Sequence, residues 1–414
     1  MIRRRLGVLG QPPFAAFWTG GALSNTGTWL GNVAASVFVY DQTGSALAVG
    51  VLNFVTFLPV LLFSLTGGVL SDRFDRRAIV VATHAASGAL SLALAGLIAA
   101  GAATEVHVIA VMFLLQTSWA VAKPSLTAMV PALVRRDEVP EAVGLNTLQF
   151  LAGQLAGPLV AVVVLGTWGY AAAFAANALT YAGPVLAMAF LARRGLGAGA
   201  ASRAREAARA GAAAFIRAEP WVLAALLAVV VTSALLEVIR TLAPVIVAER
   251  IGAPTNEAGV IIAAQSFGSV LGIALLAPLR RRDLSRASAA AGLALQAAGL
   301  VAVSGATSMP AAVASVLAVG MGFGLSFTVV TSALQTEVPD ALRGRLMSLH
   351  QMALLGNRPF TALAAGALAA TFGVPAAALA AVAFAPLGLA AVRSAWHRLD
   401  VPPRAPTDAA VPAD

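Results

Sequence analysis

The sequence predicts an all-α polytopic membrane protein, with twelve transmembrane helices in two pseudo-symmetric six-helix bundles. Three observations predict it. Of the 414 residues, 59% are hydrophobic and only 11% are charged, whereas a soluble domain needs about 25% charged residues to cover its surface. Apolar runs of about 20 residues recur from end to end, each long enough to cross about 30 Å of hydrocarbon as a helix. Membrane β-barrels would instead show alternating segments of about 10 residues, and the sequence has none. Finally, 23 of the 27 lysines and arginines fall in alternate short loops, the bias that sets orientation in a bilayer.

The elements follow in order. Arg3, Arg4 and Arg5 precede an apolar run over 14–40. A basic start before an apolar segment resembles a signal peptide, but no convincing cleavage site follows, so the run reads as an uncleaved first span. The turn DQTGS at 41–45 separates it from span two at 46–70, and spans three and four cover 78–101 and 106–131. Spans five (142–165) and six (169–192) meet at GTWG, 166–169. The segment 193–219 is rich in Arg, Ala and Gly and reads as a cytoplasmic linker, part of it an amphipathic surface helix. Spans seven to twelve then fall at 220–248, 256–278, 286–305, 309–335, 344–370 and 373–394. The expected units are therefore a bundle at 1–192, the linker, a bundle at 220–395 and a disordered cytoplasmic tail at 396–414.

With the N-terminus inside, Lys123, Arg240 and Arg358 fall within spans, and Arg250 alone lies outside. This places both termini in the cytoplasm. The net charge of +9 therefore orients the chain and calls for no nucleic acid. The halves also echo each other: Asn146 corresponds to Met347 and Pro158 to Pro359, both offset by 201. A duplicated six-span unit places a substrate site between the repeats near mid-membrane. No cysteine is present, which rules out disulfides, thiolate metal sites and cysteine nucleophiles.

The loop between spans two and three, 67-GGVLSDRFDRRAIV-80, packs five charges into positions 72 to 77. Its pattern resembles the signature loop of the major facilitator superfamily, G-x-L-a-D-R-x-G-R-R, with Asp75 where the second glycine is usual. Other segments resemble the macrolide-efflux and enterobactin-exporter-like branch: 14-FAAFWTGGALSNTGTW-29, 36-SVFVYDQTGSALAVG-50, 141-EAVGLN-146 with 157-GP-158, and 343-RGRLMS-348. Glycine at 68 is expected to let two helices approach closely. The resemblance implies that Asp72 latches the halves in the outward-facing state, with Arg343 and Arg345 as its counterpart. Arg73, Arg76 and Arg77 either join this gate or serve only as positive-inside anchors.

An ionisable side chain at mid-bilayer costs at least about 2.5–3.5 kcal/mol, so each one marks a functional candidate. Glu237 and Arg240 lie one helical turn apart in span seven. Glu237 either carries a proton between the two sides or pairs with Arg240 and neutralises it. Arg358, in the middle of span eleven, is open to three readings: binding an anionic substrate, pairing with Glu237, or holding helices together. Lys123 either faces the cavity or snorkels to the inner surface. Asn25, Thr28, Asn32, Gln149, Gln154 and Gln265 complete the candidate cavity. Thr28 stands where some relatives carry an acid, which argues against proton coupling through span one. Trp18, Trp29 and Trp168 read as interfacial belt residues.

The resemblance implies a secondary active transporter, a proton-coupled exporter of an amphipathic drug-like compound working by alternating access. Alternatives are a dedicated siderophore or secondary-metabolite exporter and a non-transporting membrane sensor. No G-x-x-x-x-G-K-[ST] loop is present for a primary pump. No catalytic or metal cluster appears either, since His107 and His350 lack carboxylates at ligand spacing. The expectation is thus no enzyme, metal or cofactor. The expected partners are lipid, substrate and protons, and the expected form is a monomer in a bacterial cytoplasmic membrane.

Overall fold

The computed structural model describes residues 7–197, 215, 219–276 and 286–399. Arginines 3–5, most of the 193–219 linker, the basic cluster at 280–282 and the tail from 400 lie outside the described residues. The described chain is helical throughout: α1 (Pro12–Thr43), α2 (Ala46–Arg73), α3 (Arg76–Ala99), α4 (Glu105–Met129), α5 (Val139–Thr180), α6 (Ala182–Arg193), α7 (Pro220–Val245), α8 (Ala258–Leu276), α9 (Arg286–Gly305), α10 (Met309–Glu337), α11 (Asp340–Gly356), α12 (Arg358–Val382) and α13 (Ala385–Leu399).

Local chemistry sets many of these ends. Ser45 caps α2 by accepting from the Ala48 amide at 3.3 Å, and Asp75 caps α3 by accepting from the Arg77 amide at 2.8 Å. These side chains satisfy amides that the first helical turn leaves without partners. α13 runs to Leu399 with Trp396 buried, so the helix passes the expected boundary at 395.

Nine described segments are long and apolar enough to cross a membrane. Two of them, 136–193 and 342–396, are 58 and 55 residues long, and a straight helix of that length would extend about 80 Å or more. Each instead breaks at a glycine with positive φ, Gly169 at +77° and Gly373 at +82°, a conformation that a β-carbon disfavours. The packing along α1 shows the chain doubling back. Before the break, Gly153 lies on Asn25 and Gly157 on Trp29, so α5 runs parallel to α1. After it, Asn177 lies on Gly31, Thr180 on Gly27 and Gly183 on Gly20, in the opposite direction. α1, 32 residues long, lies beside both arms.

Elements before the linker pack mainly on one another, as do those after it. The two sets meet where α2 lies on α12 and α5 on α8. At the first seam, Gly50 and Gly366 touch backbone to backbone, the close approach that small residues permit in lipid. Large apolar side chains such as Leu179, Leu186 and Phe372 remain about 70% exposed or more, an outer surface suited to hydrocarbon.

Candidate functional site

The buried charges come together where the two sets of helices meet. Glu237 on α7 is 1% exposed, and its Oε2 lies 3.6 Å from Nε of Arg358. Of the readings open for these residues, the geometry brings Glu237 and Arg358 into ion-pair range rather than Glu237 and Arg240, and α11 stops at Gly356 with α12 starting at Arg358. Arg358 is therefore the first residue of α12 rather than the middle of a continuous helix. Asn357, in the break, donates to Ser233 on α7 and ties the restart to that helix.

Arg240 turns the other way. Its Nε donates to Gln265 Oε1 at 3.2 Å, while Gln265 donates to the Leu236 carbonyl at 2.9 Å. With its amide oxygen facing Arg240, Gln154 accepts from Nη1 at 3.2 Å and from Nη2. The Arg240 guanidinium also lies 5.1 Å from the centre of the Trp29 ring, and that of Arg358 lies 5.4 Å from Phe57. Both contacts reach from the second set of helices to the first, and desolvated cation–π contacts are worth about 2 kcal/mol each. Trp29 is thus buried under a guanidinium and does not sit in an interfacial belt. One carboxylate and two guanidinium groups leave the cluster with an excess positive charge.

The remaining cavity candidates separate into two spaces. Asn25, Thr28, Asn32, Lys123 and Gln149 line a cavity of about 980 Å³, counting the open space at its mouth, walled by α1, α3, α4, α5 and α6. A smaller one of about 440 Å³ borders Asn32, Asn53, Thr56, Glu237 and Arg240. Gln154, Gln265 and Arg358 line neither, because the buried charges hold them. Gln149 also donates to the Trp18 carbonyl at 3.1 Å, joining α1 to α5, and Trp18 donates to the Leu145 carbonyl at 2.9 Å.

Contacts at one end of the bundle join the two sets. Tyr40 at the end of α1 donates to Glu249 Oε1 at 3.0 Å. Asp41 Oδ2 accepts from Tyr170 and, at 3.0 Å, from Thr255. Asn256 donates to the Val162 carbonyl at 3.2 Å. The arrangement repeats: Asp41 and Glu249 each precede a positive-φ glycine by three residues, Gly44 and Gly252. Sequence reasoning assigned these residues no role, reading 41–45 as a turn within a segment that carries the family resemblance. The shared spacing to glycine is the signal that could have found them.

The signature loop occupies the opposite end. Asp72 is half-buried in the last turn of α2, where the helix dipole disfavours an acid. Asp75 caps α3 and pairs with Arg77 Nη2 at 3.0 Å, and Arg77 Nη1 donates to the Leu196 carbonyl at 3.3 Å. The hydrogen bond from the Arg77 side chain to Asp75 holds its carboxyl below the ordinary range. Gly68 is not the point of close approach, since a β-carbon there would meet nothing within 4 Å. Gly67 fills that role, 2.7 Å from the Ala120 carbonyl by the same measure. Arg343 and Arg345 lie on α11, whose last residue Gly356 abuts Leu61 of α2.

Two sets of helices, doubling back at positive-φ glycines and meeting around buried charges, agree with a major facilitator architecture. Residues 5–412 match the family of transmembrane secretion effectors, and the chain belongs to that family of the major facilitator superfamily. It is 26% identical over 166 residues to the staphyloferrin A transporter of Staphylococcus aureus, covering 40% of this chain and 42% of that one. Macrolide efflux protein A of Streptococcus pyogenes is 26% identical over 171 residues, 40% of this chain and 41% of that. The enterobactin exporter EntS of Citrobacter koseri is 27% identical over 177 residues, 41% and 42%. The matches thus span about two fifths of those relatives.

Among solved structures, a bacterial homologue of the human lysosomal transporter Spinster superposes with TM-score 0.75 at 14% identity, covering 94% of this chain and 98% of that one. A bacterial homologue of the iron transporter ferroportin gives 0.69 at 15% identity, covering 92% and 98%. At these identities the likeness concerns the fold.

Proposed function

We propose that the protein is a secondary active transporter that exports an amphipathic organic compound in exchange for protons, by rocking residues 1–192 against 220–395. Twelve crossings with both termini in the cytoplasm satisfy the charge bias of the loops. The end bearing Asp41 and Glu249 then faces outward and is closed, and the exporting cavity communicates with the cytoplasm. Asp72, with Arg343 and Arg345, closes the opposite end in the alternate state, and Arg73, Arg76 and Arg77 hold that loop at the inner surface. The working unit is a monomer in the bacterial cytoplasmic membrane.

The observation that carries this reading is Glu237. Among the described residues neither of its oxygens accepts a hydrogen bond, and its ion partner stands at 3.6 Å. A buried carboxylate held only by a long ion pair changes protonation when that partner moves. Rocking moves the partners, because Arg240 and Arg358 each lean on a ring from the other half. Glu237→Gln should abolish accumulation of substrate in inverted vesicles under a proton gradient while leaving the protein inserted. Undiminished gradient-driven transport would overturn the carrier role.

A second reading, a dedicated siderophore or metabolite exporter, draws on the excess positive charge of the cluster and on the staphyloferrin A and enterobactin relatives. A panel of macrolides, dyes and siderophores in the same vesicles separates the two. ATP-independent movement of any of them separates both from a membrane sensor.

A further inference from the structure

We propose that the larger cavity is a binding site for an organic monoanion with a flat aromatic body, held by α1, α3, α4, α5 and α6 alone. The proposal deepens the transport reading, and rests on it for passage across the membrane though not for binding. Lys123 is the one lysine or arginine among the residues lining that cavity, and no aspartate or glutamate lines it. Among the described residues the ammonium has no carboxylate within ion-pair distance; its neighbours are the rings of Trp119 at 5.7 Å and Phe150 at 5.8 Å. A cation taken from water needs a counter-charge, and ring faces supply only part of one. An anion seated on Nζ completes it, and its body then lies between two aromatic walls. The other walls narrow the choice. His84 Nδ1 donates to the Val80 carbonyl at 2.8 Å, so that edge of the ring is already engaged with its own helix. Asn177 lines the same cavity, is 1% exposed, and its Oδ1 has no hydrogen-bond partner among the described residues. That oxygen is an acceptor waiting for a hydroxyl or N–H on the ligand.

One cation suits one negative charge. A phosphate dianion would find no second lysine and no guanidinium fork on these walls. An organic cation would meet Lys123 as a like charge, and a neutral ligand would leave the ammonium uncompensated. The predicted ligand is therefore an aromatic carboxylate or sulfonate with a hydrogen-bond donor elsewhere on its frame.

Two probes that share one ring system test this: 8-anilinonaphthalene-1-sulfonate and N-phenyl-1-naphthylamine, which lacks the sulfonate. They are titrated into the full chain in lipid nanodiscs, with empty nanodiscs subtracted. The sulfonate should bind at least about tenfold tighter than the neutral probe. Lys123→Met should remove that preference and leave the neutral probe unchanged, and Lys123→Arg should retain it within about threefold. Energy transfer from tryptophan to the bound sulfonate should fall at least about twofold in Trp119→Phe, which locates the probe if Lys123→Met fails to insert. Equal affinity for the two probes in the wild type, unaltered sulfonate affinity in Lys123→Met, or unaltered transfer in Trp119→Phe would overturn the site. Accumulation in inverted vesicles is read separately. Lys123-dependent binding without gradient-driven uptake would sink the transport reading and leave the site standing, whereas uptake without Lys123 dependence would do the reverse.

Discussion

Tyr40 and Glu249, 209 residues apart, meet through a 3.0 Å hydrogen bond at the end of the molecule where Asp41 accepts from Thr255. Each half offers one carboxylate, and each carboxylate takes a hydroxyl from the other half. A hydrogen bond to a charged acceptor contributes about 1.5–3 kcal/mol, less here because both carboxylates are exposed. Tyr40→Phe should therefore weaken the closed end by about 1 kcal/mol, which shifts a two-state population about fivefold. The chain has no native cysteine, so spin labels at Gln42→Cys and Ala253→Cys report this end without background. The distance distribution should gain a longer component in Tyr40→Phe. An unchanged distribution would mean that the bond decorates a seam held by the Gly50–Gly366 packing.

The Glu237–Arg358 pair makes a non-additive prediction. Removing one partner of a buried pair leaves an uncompensated charge and costs about 3–5 kcal/mol, while replacing both costs far less. Arg358→Met should lower the melting temperature of the purified protein sharply, and adding Glu237→Gln should recover at least half of the loss. If the double variant melts no higher than the single one, Arg240 rather than Arg358 is the charge that Glu237 answers.

Asp75 gives a pH dependence. Its carboxyl is held below the ordinary 3.8, chiefly by the hydrogen bond from Arg77, so the folded form binds the proton less readily than the unfolded one. Its stabilisation is therefore fully present above the unfolded value and is lost as pH falls through the lowered folded value. At neutral pH, Asp75→Ala should cost the start of α3 about 1 kcal/mol, and Asp75→Gly only a few tenths. This explains how the loop tolerates aspartate where the signature has glycine. Amide exchange over residues 76–79 should quicken in the alanine variant at pH 7, and the gap from wild type should close as pH falls through the lowered folded value.

How much of this was legible in the sequence depends on how far apart the partners stand. Composition and loop charge were enough for the helices, because burial in lipid constrains every residue of a span. Glu237, Arg240, Arg358 and Lys123 stood out because charge in such a chain is rare. The Glu237–Arg358 pair was only one of several readings, since choosing it turns on the break at Gly356–Asn357, which no helical periodicity announces, and on Gln154 and Gln265 from two other helices that hold Arg240 away. Tyr40, Asp41 and Glu249 were invisible for a related reason. Polar residues beside a turn need no explanation until the fold brings the two turns together. Asn177 was missed because an amide in a span reads as helix–helix contact, and only the cavity reveals its unused oxygen.

The glycine pair in the signature loop tests where helix contact ends and gating begins. A β-carbon at Gly67 would lie 2.7 Å from the Ala120 carbonyl and 2.9 Å from Val121 Cα, backbone atoms that no rotamer change can move aside. Gly67→Ala must push α2 off α4, and overpacking of this kind costs about 1–3 kcal/mol. At Gly68 the same methyl meets open space, and alanine is the better helix former by about 1 kcal/mol. Gly68→Ala should therefore melt at or above the wild-type temperature, and Gly67→Ala well below it. The informative case is transport by Gly68→Ala. Wild-type rates would confine the role of this glycine to sequence pattern. A stable protein with slowed transport would mean that another helix end closes onto Gly68 in the alternate state, and α11, which carries Arg343 and Arg345 and already touches α2, is the candidate.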